Sequence, residues 1–418
     1  MLAYPKNIIF DYKTYKLYNK FMNKLPDGWE IKKLKDILSN EKYSIKRGPF
    51  GSSLKKEFFI KEGVKVFEQY NPINNDPHWC RYRIDKKKYE ELKAFSCRAG
   101  DFLISCSGTL GKILLLPDNV EEGIINQALL KIRLNNKLVD NYYFLNLFQY
   151  EDFQKRIYID AVGSAIHNIA SVNILKEMDV IISPLDEQKR IASALSKIDA
   201  YLENTIKLIE EKERFKRGIA KKLLTCKEGE NIPEARFKGF EDEWKTKTLE
   251  NICKNIKTGK LNANAMEKDG QYRFYTCAKD YYKINTYAFD GEAILISGNG
   301  AHVGYVHYYN GKFNAYQRTY VLMDFTENIL FIKYYLDIHL KYKINIENNK
   351  GNIPYIVLNT IKDMEIKFPS LEEQEKIGGY LSLLDAEIDN LKKQKELIKE
   401  MKRGAMQKLL SGEVRLLE

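Results

Sequence analysis

Leu185-Asp186-Glu187-Gln188-Lys189-Arg190-Ile191-Ala192-Ser193-Ala194-Leu195-Ser196-Lys197-Ile198-Asp199 returns 186 residues later as Leu371-Glu372-Glu373-Gln374-Glu375-Lys376-Ile377-Gly378-Gly379-Tyr380-Leu381-Ser382-Leu383-Leu384-Asp385. The match extends without a gap over residues 175–224 and 361–410, and 19 of the 50 aligned positions are identical. Self-similarity of that length marks a duplicated structural unit. Each copy opens on a strand-like run, Val180-Ile181-Ile182 or Ile366-Lys367-Phe368, followed by Pro184 or Pro369 and an acidic turn. Acids favour the positive end of a helix dipole, so a helix starts there. Alternate steps of four and three then land on Ile191, Leu195, Ile198, Leu202, Thr205 and Ile209, and in the second copy on Ile377, Leu381, Leu384, Ile388, Leu391 and, one step past Lys395, Ile398. That is the seam of a coiled coil, and its apolar members are the expected helix-pairing residues. The simplest burial for two such stripes is against each other, as an antiparallel coiled coil. The Lys interruptions and the paired Asn204 and Asn390 are expected to set register or to be solvated ends. A helix of some forty residues spans on the order of 60 Å, a length suited to a spacer.

The sequence around the helices repeats more loosely. Asp27-Gly28-Trp29-Glu30-Ile31 resembles Asp242-Glu243-Trp244-Lys245, and Gly100-Asp101-Phe102-Leu103-Ile104-Ser105 resembles Gly291-Glu292-Ala293-Ile294-Leu295-Ile296-Ser297. A Gly-containing loop follows each, then Gln127 or Gln317. The expected class is α+β: two mixed α/β globules alternating with two long helices. The expected boundaries are an N-terminal extension at 1–24, a first globule at 25–174, a helical region at 175–228, a second globule at 229–360 and a second helical region at 361–418.

Lys and Arg outnumber Asp and Glu by 68 to 57, a net charge of +11, which favours a polyanionic partner, although a lysine-rich proteome produces the same balance. No run reaches the roughly 20 apolar residues of a membrane helix. The start of the chain lacks the pattern of a signal peptide. Six scattered cysteines and five histidines without ligand spacing fit a cytoplasmic, metal-free chain.

The alternation of globule and helix, the Pro184-x-x-Glu187-Gln188 and Pro369-x-x-x-Glu373-Gln374 starts, the Ile-x-x-x-Leu-x-x-x-Asp run and the Lys-Arg-Gly…Lys-Leu-Leu ends resemble Type I restriction–modification specificity subunits. The similarity runs from about Leu25 to Leu417. It implies that each globule is a target recognition domain reading one half of a split double-stranded DNA site. It also implies that the paired helices set the gap and dock two modification subunits, with two restriction subunits completing the complex and no membrane involved. Adenine methylation from S-adenosylmethionine, and ATP- and Mg2+-dependent cleavage, then belong to the partners; this chain binds no cofactor and catalyses nothing.

Candidate DNA contacts follow from residue type. In the first globule Lys46, Arg47, Ser52, Ser53, Lys55 and Lys56 surround a Gly-Pro-Phe-Gly turn, where small residues let a backbone approach and cations reach phosphates or guanine. Gln69, Tyr70 and Asn71 follow a strand-like run, and Ser107 and Thr109 lie in a Gly loop. In the second, Lys257, Thr258, Lys260 and Asn262 form one group, Asn299 and His302 a second, and Asn314, Tyr316, Gln317 and Arg318 a third. His167, Asn168 and Asn352 are weaker. Each set has a plain alternative as turn, core or solvated surface. Neither Gly loop has the spacing of a phosphate-binding loop, and no Asn/Asp-Pro-Pro-Tyr/Phe loop is present. The competing readings are a specificity component of another multisubunit restriction system and a coiled-coil scaffold that does not read DNA.

Overall fold

The computed structural model describes residues 25–159, 168–169, 171–347 and 355–417, with only the backbone described for Ser52, Tyr158, Ile159 and Asn168. The 1–24 extension, His167 and Asn352 lie outside the described residues. The chain divides into two compact units, one of residues up to Asn204 plus Glu396 onward, the other Thr205–Lys395. Each contains one globule and half of each long helix.

The first unit opens with β1 (Glu30–Lys33), β2 (Ile45–Arg47), β3 (Val64–Phe67), α1 (Tyr70–Asn74), β4 (Tyr82–Ile84), α2 (Lys86–Glu91), β5 (Ser96–Cys97), β6 (Phe102–Ser105), β7 (Ile113–Leu115), β8 (Gly123–Ile125) and β9 (Leu129–Ile132). There follow α3 (Asn141–Gln149), α4 (Glu151–Ile157), the short pair β10 (Tyr158–Ile159) and β11 (Asn168–Ile169), α5 (Val172–Lys176), β12 (Asp179–Ile182) and α6 (Leu185–Leu224). Two four-stranded sheets form, β2-β9-β6-β7 and β4-β3-β8-β5, while β1 pairs antiparallel with β12.

In the second unit, β13 (Lys245–Thr248), α7 (Leu249–Ile252), β14 (Cys253–Thr258), β15 (Tyr272–Tyr275), β16 (Tyr282–Ile284), β17 (Phe289–Ser297), β18 (Val306–Ala315) and β19 (Thr319–Phe325) precede α8 (Ile329–Ile346), α9 (Leu358–Lys362), β20 (Glu365–Phe368) and α10 (Leu371–Leu410). Its sheet is one piece, β14-β19-β17-β18-β15-β16. The topology is the same: β3 pairs antiparallel with β4 and parallel with β8, as β15 does with β16 and β18. Longer strands β17 and β18 join what the first unit splits.

The long helices complete both cores. Ile191 and Leu195 from α6 are buried in the first unit beside Met406, Leu409 and Leu410 from α10 and Trp29, Phe102 and Phe144 from the globule. In the second, Leu223 and Leu224 from α6 join Ile377 and Leu381 from α10, with Trp244, Leu322 and Phe331. Each fully buried aliphatic side chain stabilises by roughly 1.5–3 kcal/mol. This explains why the Lys-Leu-Leu ends repeat: each leucine pair enters the core that holds the other helix's first turns. The expected seam residues Ile209, Leu384, Ile388 and Ile398 are buried, and Ile198, Leu202 and Leu391 are half-buried.

Antiparallel register is fixed by charge. Lys402 pairs with Asp199 at 2.6 Å in the first unit, and the residues at the same places in the repeat, Lys216 and Asp385, pair in the second. Lys212–Glu387 at 2.9 Å and Lys392–Glu213 at 2.8 Å add to the latter. Three of the Lys interruptions, Lys212, Lys216 and Lys402, therefore make cross-helix ion pairs. Asn204 and Asn390, by contrast, are exposed, which favours the solvated alternative over a register role.

The Glu-Gln pair ties each helix to its globule. Gln188 Oε1 accepts from Asp140 N at 2.9 Å while its Nε2 donates to the Ser183 and Leu138 carbonyls. Gln374 likewise accepts from Asn328 N and donates to the Pro369 carbonyl and to Glu327. Asp140 and Asn328 are the N-caps of α3 and α8, so one amide organises each helix start. Buried Glu187 accepts from Trp29 Nε1 and from Arg415, and Glu373 accepts from Arg236.

Burial pushes the Glu187 carboxyl up, but the hydrogen bonds from Arg415 and Trp29 outweigh it, and the net shift is downward. Asp385 behaves alike: burial raises it, and Lys216 and Tyr334 bring it below its usual value. A depressed folded value contributes stability above the unfolded value and loses it as pH falls through the folded one. The melting temperature should therefore fall as pH drops from about 5 to about 3, and Glu187→Gln should flatten that fall. Calorimetry across this range checks it; equal slopes would remove Glu187 from the account.

Candidate nucleic-acid interface

Three connections meet at one end of each sheet. In the first unit Gly48, just after β2, donates to Leu129 O at 2.9 Å, and Cys106 N, just after β6, donates to Ala128 O at 2.7 Å. In the second, Gly259 N donates to Thr319 O at 3.2 Å and Gly298 N to Arg318 O at 2.9 Å. The correspondence is residue by residue: Lys46, Arg47 and Gly48 stand where Lys257, Thr258 and Gly259 do, and Gln127 and Ala128 where Gln317 and Arg318 do. Buried Ser105 and Ser297 open the Gly loops, and Gly111 and Gly304, both at positive φ (69° and 76°), close them. The closing amides return to the Ser105 and Ser297 carbonyls at 2.9 and 2.8 Å.

Close approach makes two glycines obligatory. A Cβ on Gly48 would sit 1.8 Å from Asn126 O, and one on Gly259 would sit 1.9 Å from Ala315 O.

On this frame the side chains differ. In the first unit Arg47 lies with its guanidinium 5.6 Å from the exposed Phe50 ring, and half-buried Lys46 lies over Tyr43 and Phe95. Ser107, Thr109, Lys112 and Gln127 are exposed around the same end. Ser53 is half-buried in the turn Gly51–Leu54, which also holds Ser52, and Lys55 and Lys56 are exposed beyond it. Below the loop, burial pushes the Cys106 thiol up to about 11, keeping it a neutral packing group.

In the second unit Thr258, Gln317, Arg318 and Tyr355 line a pocket of about 350 Å³. Lys257, Lys260 and Asn262 are exposed near it, Tyr316 is half-buried, and Asn299 bridges to Tyr355. His302 is half-buried in the neighbouring loop, its carbonyl accepting from Tyr305 N.

Two expected readers are corrected. Asn71 is fully buried, its Oδ1 accepting from Glu68 N and its Nδ2 donating to the Asp76 and Trp79 carbonyls, so its amide is spent on the α1 turn. Asn314 is buried within β18, donating to Thr286 and accepting from Ala315 N. Gln69 is half-buried and Tyr70, exposed, stacks on Trp79 at 4.2 Å. Gln127 and Lys112 went unselected by residue type; the alignment of Gln127 with Gln317 carried the signal for the first.

Among the described residues no cluster of His, Cys, Asp and Glu could hold a metal ion, and no helix is long and apolar enough to cross a membrane.

Gly48→Ala and Gly259→Ala should each force the crowded backbones apart, destabilising their own unit by about 1–3 kcal/mol. Hydrogen exchange should rise at the three connections of the altered unit and not in the other; protection unchanged in both would contradict the contact.

Residues 26–211 and 241–400 match the family of the Type I restriction modification DNA specificity domain. The chain is 41% identical over 170 residues to the Type I restriction enzyme EcoDI specificity subunit of Escherichia coli, covering 40% of this chain and 37% of that one. It is 26% identical over 427 residues to the putative type I restriction enzyme MjaX specificity subunit of Methanocaldococcus jannaschii, covering 97% and 98%. The fold is similar to the crystal structure of the S subunit of a Type I restriction-modification system from M. genitalium, with a TM-score of 0.58 at 20% identity over 92% of this chain and 97% of that one. A chain solved in work on complex assembly and conformational transition of the type I R-M system gives 0.58 at 14% identity, over 94% and 100%. With two matched segments on two units of one topology, this chain belongs to the Type I restriction–modification DNA specificity family and is a specificity subunit with two DNA target recognition domains.

Proposed function

We propose that each unit reads one half of a split duplex site through the loop end of its sheet, and that the chain itself carries out no chemistry. The observation that carries this is one backbone frame bearing two sets of side chains. Arg47, Ala128 and Lys112 of the first unit correspond to Thr258, Arg318 and Tyr305 of the second. Equal frames place the readers alike on DNA, and unequal side chains give the halves different sequences. A bidentate Arg or Gln contact to a base is worth about 1–3 kcal/mol of discrimination, so two or three per half suffice.

In this reading the chain acts in the cytoplasm, and the paired helices hold the two halves of the site at a set spacing. Modification subunits bring S-adenosylmethionine and methylate adenine; restriction subunits bring ATP and Mg2+. Methylome sequencing of a host carrying this chain with its neighbouring modification subunit should reveal a two-part motif with a fixed gap. Arg318→Ala should relax one half only. Methylation without regard to sequence would overturn the reading.

The repeat also supports two copies of one partner. Phe215 and Met401 occupy the same place in the two copies, one residue before Lys216 and Lys402, and are 53% and 51% exposed. Large apolar groups in such positions suit a partner helix or groove. Phe215→Glu and Met401→Glu should each lower the number of bound modification subunits from two to one in native mass spectrometry. Two retained in both variants would move the docking surface elsewhere.

A further inference from the structure

β15 carries Arg273 into a cluster that residue patterning does not disclose. Its guanidinium lies 4.3 Å from the ring centres of both Tyr281 and Tyr309, and Nη1 donates to Tyr275 Oη at 3.2 Å. Lys283 and Lys312 are exposed beside it, Lys312 Nζ lying 4.7 Å from the Tyr287 ring centre. Together they line a pocket of about 450 Å³, and no described carboxylate lines it.

The first unit closes the same place. The Tyr275 carbonyl accepts from Tyr316 N at 2.9 Å, as the Phe67 carbonyl accepts from Asn126 N at 3.0 Å, so Arg273 corresponds to Lys65. Lys65 is fully buried, its Nζ donating to Pro77 O at 2.7 Å, beneath the connection 68–81. That connection has 14 residues, and its counterpart between β15 and β16, 276–281, has six. With the shorter connection, the cation of the second unit is half-buried in the wall of an open pocket.

We propose that the Arg273 pocket holds a phosphate of the duplex backbone outside the bases read by the loop end of the second unit. This rests on the DNA-reading function proposed above. Three cations without a lining acid call for an anion. The aromatic stack holds the guanidinium in place before contact, lowering the entropic penalty of ordering it. Arg273 lies two strand residues, about 7 Å, from the loop end. That is short beside the roughly 34 Å turn of a duplex, so DNA seated on the loops runs past it. The first unit has no equivalent open cation, so its half-site lacks this added contact.

The test uses the full chain with its modification subunit and a duplex bearing the methylome-derived site, with affinity measured from 50 to 200 mM salt. Lys283→Ala/Lys312→Ala, both exposed positions, should lower the slope of log affinity against log salt by up to about 0.9, the value for one phosphate, and leave the methylated motif unchanged. The wild-type advantage then shrinks up to about 3.5-fold across that range. Lys283→Glu should weaken binding further, and Arg273→Lys should show whether the stacked guanidinium is required. An unchanged slope in a folded double variant overturns the proposal. A changed motif at unchanged slope also overturns it, in favour of a base contact. If the wild-type complex prefers no sequence, the DNA-reading function itself fails, an outcome separate from either.

Discussion

Neither recognition domain closes its own core. Ile191 and Leu195 from the start of α6 and Leu409 and Leu410 from the end of α10 fill one, and the complementary halves fill the other. A 40-residue amphipathic helix cannot bury its stripe alone, and a small α+β globule gains by borrowing apolar area. The result is that each reading surface is rooted in the helix pair instead of hanging from a flexible linker. The Gln188 and Gln374 amides make the same connection in polar form, since each satisfies backbone groups of a globule helix from a position on a long helix.

Ion pairs add direction to that burial. Exposed pairs contribute little energy, typically under about 1 kcal/mol. Their effect is on alternatives: sliding one helix by a turn separates Asp199 from Lys402 and Asp385 from Lys216. Because both pairs are made from the same two places of the repeat, the duplication itself builds a two-fold pattern of contacts.

Function divides between frame and side chain. Gly48 and Gly259, Ser105 and Ser297, Gly111 and Gly304 hold the backbone, while the residues between them differ. On the proposed reading, a change of specificity needs no change of scaffold. The contrast between fully buried Lys65 and half-buried Arg273 at a pocket wall shows the same economy, since it accompanies a difference in connection length.

How much was legible follows from where the information lies. The long helices, their seam, the order of globules and the family were readable because helical periodicity and an ungapped repeat are local properties of the chain. Residue type singled out the turn at Lys46–Gly48 and the Gln317–Arg318 pair, which the structure places at matching sheet ends; their contact with DNA is part of the proposal. Asn71 and Asn314 misled, because an amide's partners depend on which loops fold over it, and both are spent on backbone. For Asn204 and Asn390 the sequence left register and solvation open: repetition marked them, yet only packing decides which face of a helix is covered. The alternation of helix halves between the two cores, the meeting of three connections at one sheet end and the stacking of Arg273 all join residues far apart in the chain. Those contacts depend on strand register and connection length, which only the tertiary structure decided.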